Sequence, residues 1–190
     1  MSVSNDKAPA HTLPLPSVWV RRWLRGVAAG ARVLDFAAGR GRHAHLALAH
    51  GARVVAADRD EGALAQIDAA VDRIATDLEA QPWPFEPSSF DVVICCNYLF
   101  RPRLDLLFGL VAPGGRVVYE TFALGNERYG RPANPDFLLR AGELFDTARR
   151  NGFTVVAFEH GFVPVPKPAI VQRLCAIRPP ATVEDCPLVG

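Results

Sequence analysis

Lysine is almost missing from this chain: Lys7 and Lys167 are the only two among 21 cationic side chains, and the rest are arginine. An excess of either sign is also missing, since the formal net charge is +1. The overall field therefore gives no reason to expect a nucleic-acid partner. Local clamps for phosphate or carboxylate remain open to the arginines. The four cysteines, Cys95, Cys96, Cys175 and Cys186, lack paired metal-ligand spacing, so no metal is expected and reduced thiols are the default. No apolar run approaches the roughly 20 residues of a membrane span. The first 16 residues are polar and proline-containing without the apolar core of a signal peptide, so the expectation is a cytoplasmic protein with no membrane partner. No internal repeat is present.

What is present is an ordinary globular balance, 49% apolar and 22% charged over 190 residues. That length suits one domain with a two-sided core. Three prolines make residues 1–16 a flexible arm, residues 17–178 read as a single domain, and residues 179–190 as a tail that trails along the surface. Ser17 can cap a helix reaching Ala29, and alternation then begins. A strand is predicted at 31–37, a helix at 41–50, a strand at 52–57, a helix at 60–70 and a strand at 73–76. Residues 79–89 hold three prolines and exclude a helix of any length. A strand at 90–98, a helix at 102–111, a strand at 116–122, a polar loop at 124–141, a helix at 142–150 and strands at 153–159 and 169–177 complete the series. The last two strands have no helix between them and should be antiparallel neighbours. The fold class is α/β, a doubly wound seven-stranded sheet. Ligands of such sheets bind beyond the carboxyl ends of the strands.

The chemistry concentrates in Val33-Leu34-Asp35-Phe36-Ala37-Ala38-Gly39-Arg40-Gly41, followed by Asp58 at the end of the next apolar run. A strand ending in small residues lets backbone approach a nucleoside, and a carboxylate ending the next strand can grip two ribose hydroxyls. Gly39-x-Gly41-x-x-Ala44 with Asp58 also fits the dinucleotide fingerprint, so the glycines alone do not choose the cofactor. Asp35 does discriminate, because a carboxylate there is unwelcome to a pyrophosphate and welcome to an amino group. Asp77 in Thr76-Asp77-Leu78 can accept from an adenine amine, with Leu78 offering backbone contact. The Tyr-x-x-x-Lys pair of short-chain dehydrogenases is absent: the fourth residue after Tyr98, Tyr119 and Tyr129 is Pro102, Ala123 and Ala133.

These motifs, with Phe90-Asp91-Val92-Val93 and Pro113-Gly114-Gly115, resemble the ordered set of class I S-adenosylmethionine-dependent methyltransferases over about residues 17–178. The resemblance implies a Rossmann-like sheet of order 3-2-1-4-5-7-6 with strand 7 antiparallel. It implies S-adenosylmethionine as cofactor, with Asp35, Ala37, Gly39, Arg40 and Gly41 beside the methionine part, Asp58 and Arg59 at the ribose, Asp77 and Leu78 at adenine, and Asn97 near the sulfonium. Ala37 stands where the family often has its first glycine. The segment Cys95-Cys96-Asn97-Tyr98 is not the Asn/Asp-Pro-Pro-aromatic motif of amino-group methyltransferases, which demotes exocyclic amines as acceptors. Within the family the Asn-Tyr-Leu segment looks nearest to the tellurite-resistance type.

The acceptor implied is a small molecule, with thiol, chalcogen, hydroxyl or carboxylate all open. A hydroxyl acceptor needs a base, for which Glu120 is the candidate, with an ion pair as its alternative reading. Tyr98 is the candidate to line the donor or stack on adenine. In the 124–141 loop, Asn126, Tyr129 and Arg131 are candidates for substrate contact, a polar loop over the carboxyl edge being a common place for it. His43 and His45 are two apart on a helix and cannot share a metal. Two rival classes stay open: an NAD(P)-dependent oxidoreductase, and a catalytically silent binding partner of the same fold. Oligomeric state is not readable.

Overall fold

The computed structural model describes residues 13–80 and 82–188, so most of the expected arm, residues 1–12, lies outside the described residues. The first helix, α1 (Val18–Leu24), starts as expected: the Ser17 hydroxyl accepts from the N–H groups of Trp19 and Val20. It is shorter than predicted. Arg25 is already extended and Gly26 takes a left-handed φ of 74°, which turns the chain before Ala29.

Alternating elements follow: β1 (Arg32–Phe36), α2 (Arg42–Ala49), β2 (Arg53–Asp58), α3 (Glu61–Leu64), β3 (Asp72–Ala75), β4 (Phe90–Cys96), α4 (Leu104–Gly109), β5 (Val111–Phe122), α5 (Glu143–Arg150), β6 (Thr154–Val163) and β7 (Ala169–Ile177). They form one seven-stranded sheet of order β3-β2-β1-β4-β5-β7-β6. β7 is antiparallel to both its neighbours, and the other pairings are parallel. The predicted topology is the observed one.

The central strands are mostly apolar because the sheet is covered on both faces. Side chains alternate with period two: Leu34, Phe36, Val93, Cys95, Val117 and Tyr119 enter one core, and Val33, Val92, Ile94, Cys96 and Val118 enter the other. Cys95 and Cys96 are thus buried on opposite faces.

One connection departs from its expected helix, and another is non-helical as expected. Predicted to reach residue 70, α3 ends at Leu64, after which i to i+3 bonds from Gln66 and Ile67 tighten the chain and bring Ile67 into the core. Between β3 and β4 a non-helical strap replaces the usual layer helix, as the prolines require. Its Trp83 and Phe85 cover Phe36 with ring centroids 5.2 and 6.4 Å away.

Three boundaries also move. β5 starts five residues early, because Val111 pairs with Phe90 before the Pro113-Gly114-Gly115 turn interrupts the register. β6 runs on to Val163 beside β7. Residues beyond β7 do not simply trail on the surface: Cys186 is buried in the core with Trp19 and Trp23.

Gly115 sits against the β4 backbone with no room for a side chain. A Cβ there would lie 2.7 Å from the carbonyl oxygen of Asp91 and 3.0 Å from that of Ala112. Gly115→Ala is expected to destabilise the fold by about 2 kcal/mol, since backbone cannot step aside as a side chain can. Urea denaturation checks this, and an unchanged midpoint would contradict the close approach.

Candidate active site

At the carboxyl ends of β1 to β4 the chain leaves a cleft of about 270 Å³ lined by Ala37, Asp58, Arg59, Asp77, Leu78, Glu79, Asn97 and Tyr98. Seven of these eight were singled out from sequence; Glu79 was not. Its signal was a second carboxylate two residues after Asp77 in the same short loop.

Asp58 builds the cleft as well as lining it. One carboxylate oxygen accepts from the Gly39 N–H at 2.8 Å and the other from the Asp60 N–H at 3.0 Å. The turns after β1 and β2 are thereby tied together. A carboxylate has about four acceptor positions, so each oxygen keeps capacity for a further donor from a ligand. Asp77 similarly takes the Glu79 N–H on one oxygen.

Two non-glycine residues in this cleft adopt the left-handed region, Ala37 with φ 58° and Asn97 with φ 56°. They end the adjacent strands β1 and β4. Such conformations cost energy that the surrounding packing must hold, and they gather at ligand sites. Asn97 is fixed by its N–H on the Glu120 carbonyl, and the Tyr98 carbonyl accepts from the Tyr119 hydroxyl at 2.8 Å. The Tyr98 ring stands edge-on to Phe36, and its buried hydroxyl has no partner among the described residues. Burial, with Glu79, Cys95 and Asp77 nearby, pushes that phenol well above its usual range, so it stays protonated and available as a donor.

Gly39 and Gly41 do not line this cleft; the turn is tied to it through the Gly39 N–H on Asp58. Gly39 has a φ of 53° and open space where a Cβ would be, whereas a Cβ on Gly41 would lie 2.6 Å from Ile67 Cδ1. Gly41 therefore serves packing, and Gly39 leaves backbone bare. Arg40 is exposed beside them and does not line the cleft.

Asp35 lies elsewhere than its cofactor role assumed. It is buried behind the turn, its carboxylate accepting from the Ala44 N–H at 2.9 Å, and it does not reach the cleft wall. Burial pushes its carboxyl up to about 7, against the Ala44 hydrogen bond and the charge of Arg42. His43 Nδ1 stands 3.9 Å from it, and His43 Nε2 accepts from the Ser17 N–H at 3.1 Å. Burial, reinforced by Arg42, lowers His43 to about 3. The imidazole is neutral and joins α1 to the glycine turn.

The acceptor-side candidates scatter. Glu120 is bound to Arg173 at 2.6 Å on the neighbouring β7, so the ion-pair reading holds and no free base stands there. Asn126 is buried, holding the Pro132 carbonyl at 3.1 Å and the Ile170 N–H at 3.3 Å, which makes it a pin of the loop. Tyr129 packs on Phe162 at 5.1 Å and Arg131 is exposed. None of the three lines the cleft. Sequence reasoning missed Arg101, which fastens the loop by binding Glu143 at 2.6 Å and the carbonyls of Asp136 and Leu138. Among the described residues no cluster of His, Cys, Asp and Glu could hold a metal ion, and no helix is long and apolar enough to cross a membrane.

Residues 33–115, which span β1 to the start of β5, match the family described as "Methyltransferase domain". The match takes in the strands and turns that build the cleft. A demethylmenaquinone methyltransferase of Clavibacter sepedonicus is 36% identical over 137 residues, covering 65% of this chain and 51% of that protein. The chain thus spans about half the length of the curated relative it matches. The solved S-adenosylmethionine-dependent methyltransferase of Mesorhizobium loti superposes with a TM-score of 0.64 at 20% identity, over 82% of this chain and 95% of that one. TehB of Haemophilus influenzae superposes with a TM-score of 0.62 at 14% identity, over 78% of this chain and 58% of that one. At these identities the two structures establish a shared fold, the class I methyltransferase sheet.

The Asp35–His43 pair gives the protein a testable pH profile. The Asp35 carboxyl lies above its usual 3.8, so its contribution is full below about pH 4 and is lost as pH rises through 7. The His43 imidazole lies below its usual 6.5, so its contribution is full above that value and is lost as pH falls toward 3. Between about pH 4 and 6.5 the two slopes oppose one another. In that window Asp35→Asn should leave stability rising with pH by up to about 1.4 kcal/mol per unit, and His43→Gln should leave it falling. Urea midpoints measured across the range decide; profiles parallel to the unmodified protein in both variants would refute the assignment.

Proposed function

We propose that the protein transfers a methyl group from S-adenosylmethionine to a small-molecule acceptor. The observation that carries this reading is the charge of the cleft: Asp58, Asp77 and Glu79 face it with one guanidinium, Arg59. A dinucleotide would bring a pyrophosphate into that field, whereas an adenosyl sulfonium brings a positive charge and hydroxyl and amine donors. The carboxylates are what such donors need.

In this reading Asp58 takes the ribose hydroxyls with the acceptor capacity left over from Gly39 and Asp60. Asp77 takes the adenine amine beside Leu78, with Arg59 and Glu79 at the rim. Gly39 and Ala37 offer bare backbone to the methionine end, and Asp35 acts from behind by holding the start of α2 in place. Asn97 and Tyr98 stand where β4 delivers the reacting centre, and the phenol donates to a polar atom of the bound pair. The cofactor supplies an activated methyl group for in-line displacement, so the residues have mainly to align the partners and exclude water. With Glu120 occupied by Arg173, acceptors that need no strong base, thiolates or soft chalcogen anions, fit better than alcohols. Similarity to a demethylmenaquinone methyltransferase supports a small-molecule acceptor.

Thermal-shift titration with S-adenosylmethionine, S-adenosylhomocysteine, NAD and NADP tests the donor. Stabilisation by the first two is expected, about 2.7 kcal/mol at a hundredfold excess over Kd. A response confined to NAD or NADP overturns the reading in favour of an oxidoreductase, and no response to any favours a silent binding partner.

Asp58→Asn and Asp77→Ala are each expected to weaken the adenosyl ligands about tenfold or more, by loss of a charge-assisted hydrogen bond. Calorimetric titration reads this, and unchanged affinity in both would remove their assigned roles. Tyr98→Phe deletes a buried hydroxyl that lacks a partner in the free protein. Its melting temperature should stay level or rise while methyl transfer slows; a loss of stability with full activity would contradict the role.

A further inference from the structure

The turn that carries Asp77, Leu78 and Glu79 into the cleft is tied to β2 at its start, where the Thr76 N–H donates to the Asp58 carbonyl at 2.9 Å. Within the turn, the Asp77 carboxylate takes the Glu79 N–H at 2.9 Å and the Asp77 carbonyl takes the Ala80 N–H at 3.1 Å. Those bonds give the turn its shape and leave its far side unanchored. Among the described residues, Arg103 is the one group outside residues 77–87 that hydrogen-bonds this stretch. Its Nη1 donates to the Ala80 carbonyl and faces the Leu78 carbonyl at 3.4 Å, so the guanidinium holds backbone on both sides of Glu79.

Arg103 stands directly before α4, is 7% exposed, and is the one buried arginine among the described residues. A buried guanidinium is costly unless its charge and donors are taken up. Here carbonyls and a ring take them up. Trp83 lies 5.3 Å from the guanidinium carbon at its ring centroid, and its indole N–H donates to the same Leu78 carbonyl at 2.9 Å. Trp83 is in turn set against Phe36 of β1 at 5.2 Å. Arg103, Trp83 and Leu78 thus form a closed knot between the start of α4 and the cleft wall, although Arg103 does not itself line the cleft.

We propose that Arg103 is a positioning residue for adenine: it holds the 77–80 turn so that the Asp77 carboxylate and the Leu78 backbone meet the base, and it thereby sets the preference for adenine over a purine without the 6-amino group. The proposal rests on the adenosyl reading of the cleft given above. Arg103 acts through two carbonyls and touches no bound group. A planar guanidinium suits this task, since one nitrogen serves both carbonyls while the flat face lies over the indole, and a lysine ammonium has no such face. Hydrogen bonds weaken steeply with misalignment, so a shifted turn costs the base its partner. The ribose is spared, because Asp58 is held separately by the Gly39 and Asp60 N–H groups. Arg103 governs the base and leaves the sugar alone.

Calorimetric titration of the full chain with S-adenosylhomocysteine and S-inosylhomocysteine tests this, the second ligand carrying oxygen in place of the adenine amino group. The unmodified protein should prefer the adenosyl ligand by about tenfold or more. In Arg103→Met the adenosyl affinity should fall by about the same factor while the inosyl affinity changes little, so the preference collapses toward one. Trp83→Leu should do the same with Arg103 in place, which keeps the test open if Arg103→Met fails to fold. Arg103→Lys keeps the charge and should recover only part of the preference. The proposal is overturned by equal affinities in the unmodified protein, by a preference retained in Arg103→Met or Trp83→Leu, by equal weakening of both ligands, which marks a general loosening of the fold, or by full recovery in Arg103→Lys. Binding of neither ligand to the unmodified protein overturns the adenosyl reading as well, whereas tight adenosyl binding with a retained preference in the variants overturns the role of Arg103 alone.

Discussion

Everything in this molecule hangs on burying three adjacent strands, β1, β4 and β5, on both faces at once. Their apolar residues divide between two cores, so neither core can form without the sheet and the sheet cannot stay dry without both. That constraint places the polar chemistry at the strand ends. There the ladder stops, backbone groups lose their partners, and Asp58 collects two of them, from Gly39 and Asp60. The cleft is the place where a two-sided core runs out of strand.

Much of this was legible in the sequence because it depends on period and order. Continuous apolar runs, prolines in 79–89 and the missing helix before the last strand suffice for the series of strands and the antiparallel last pair; the strand order was implied by the resemblance of the motif set. The cleft residues Asp58, Asp77 and Asn97 were legible because each follows directly from the end of a strand. What was not legible depends on direction and on distant pairing. Asp35 shares a face with Val33, toward α2, so alternation turns it away from the opening that its position in the motif suggested. Glu120 meets Arg173 only because β5 and β7 pair in one register, a relation 53 residues apart that no local pattern carries.

The same limit explains the loop. Asn126, Tyr129 and Arg131 look available in a polar stretch, yet Asn126 is used up by the Pro132 carbonyl and the Ile170 N–H, and the exposed Tyr129 ring rests against Phe162 away from the cleft lining. A long connection of this kind has its own internal order to maintain, so polar composition overstates how many of its side chains are free. Arg101, in contrast, carries no local signal and proves to be the clamp of that loop.

The strap between β3 and β4 has an optical consequence. Of the three tryptophans, Trp19 and Trp23 lie together in one core, while Trp83 stands alone on the other side of the sheet, its indole N–H on the Leu78 carbonyl and the Arg103 guanidinium 5.3 Å above its ring. Leu78 is itself part of the cleft wall. Replacing the paired indoles by phenylalanine would leave a single indole, selectively excited at the red edge of the protein absorption, wired through one carbonyl to the edge of the cleft.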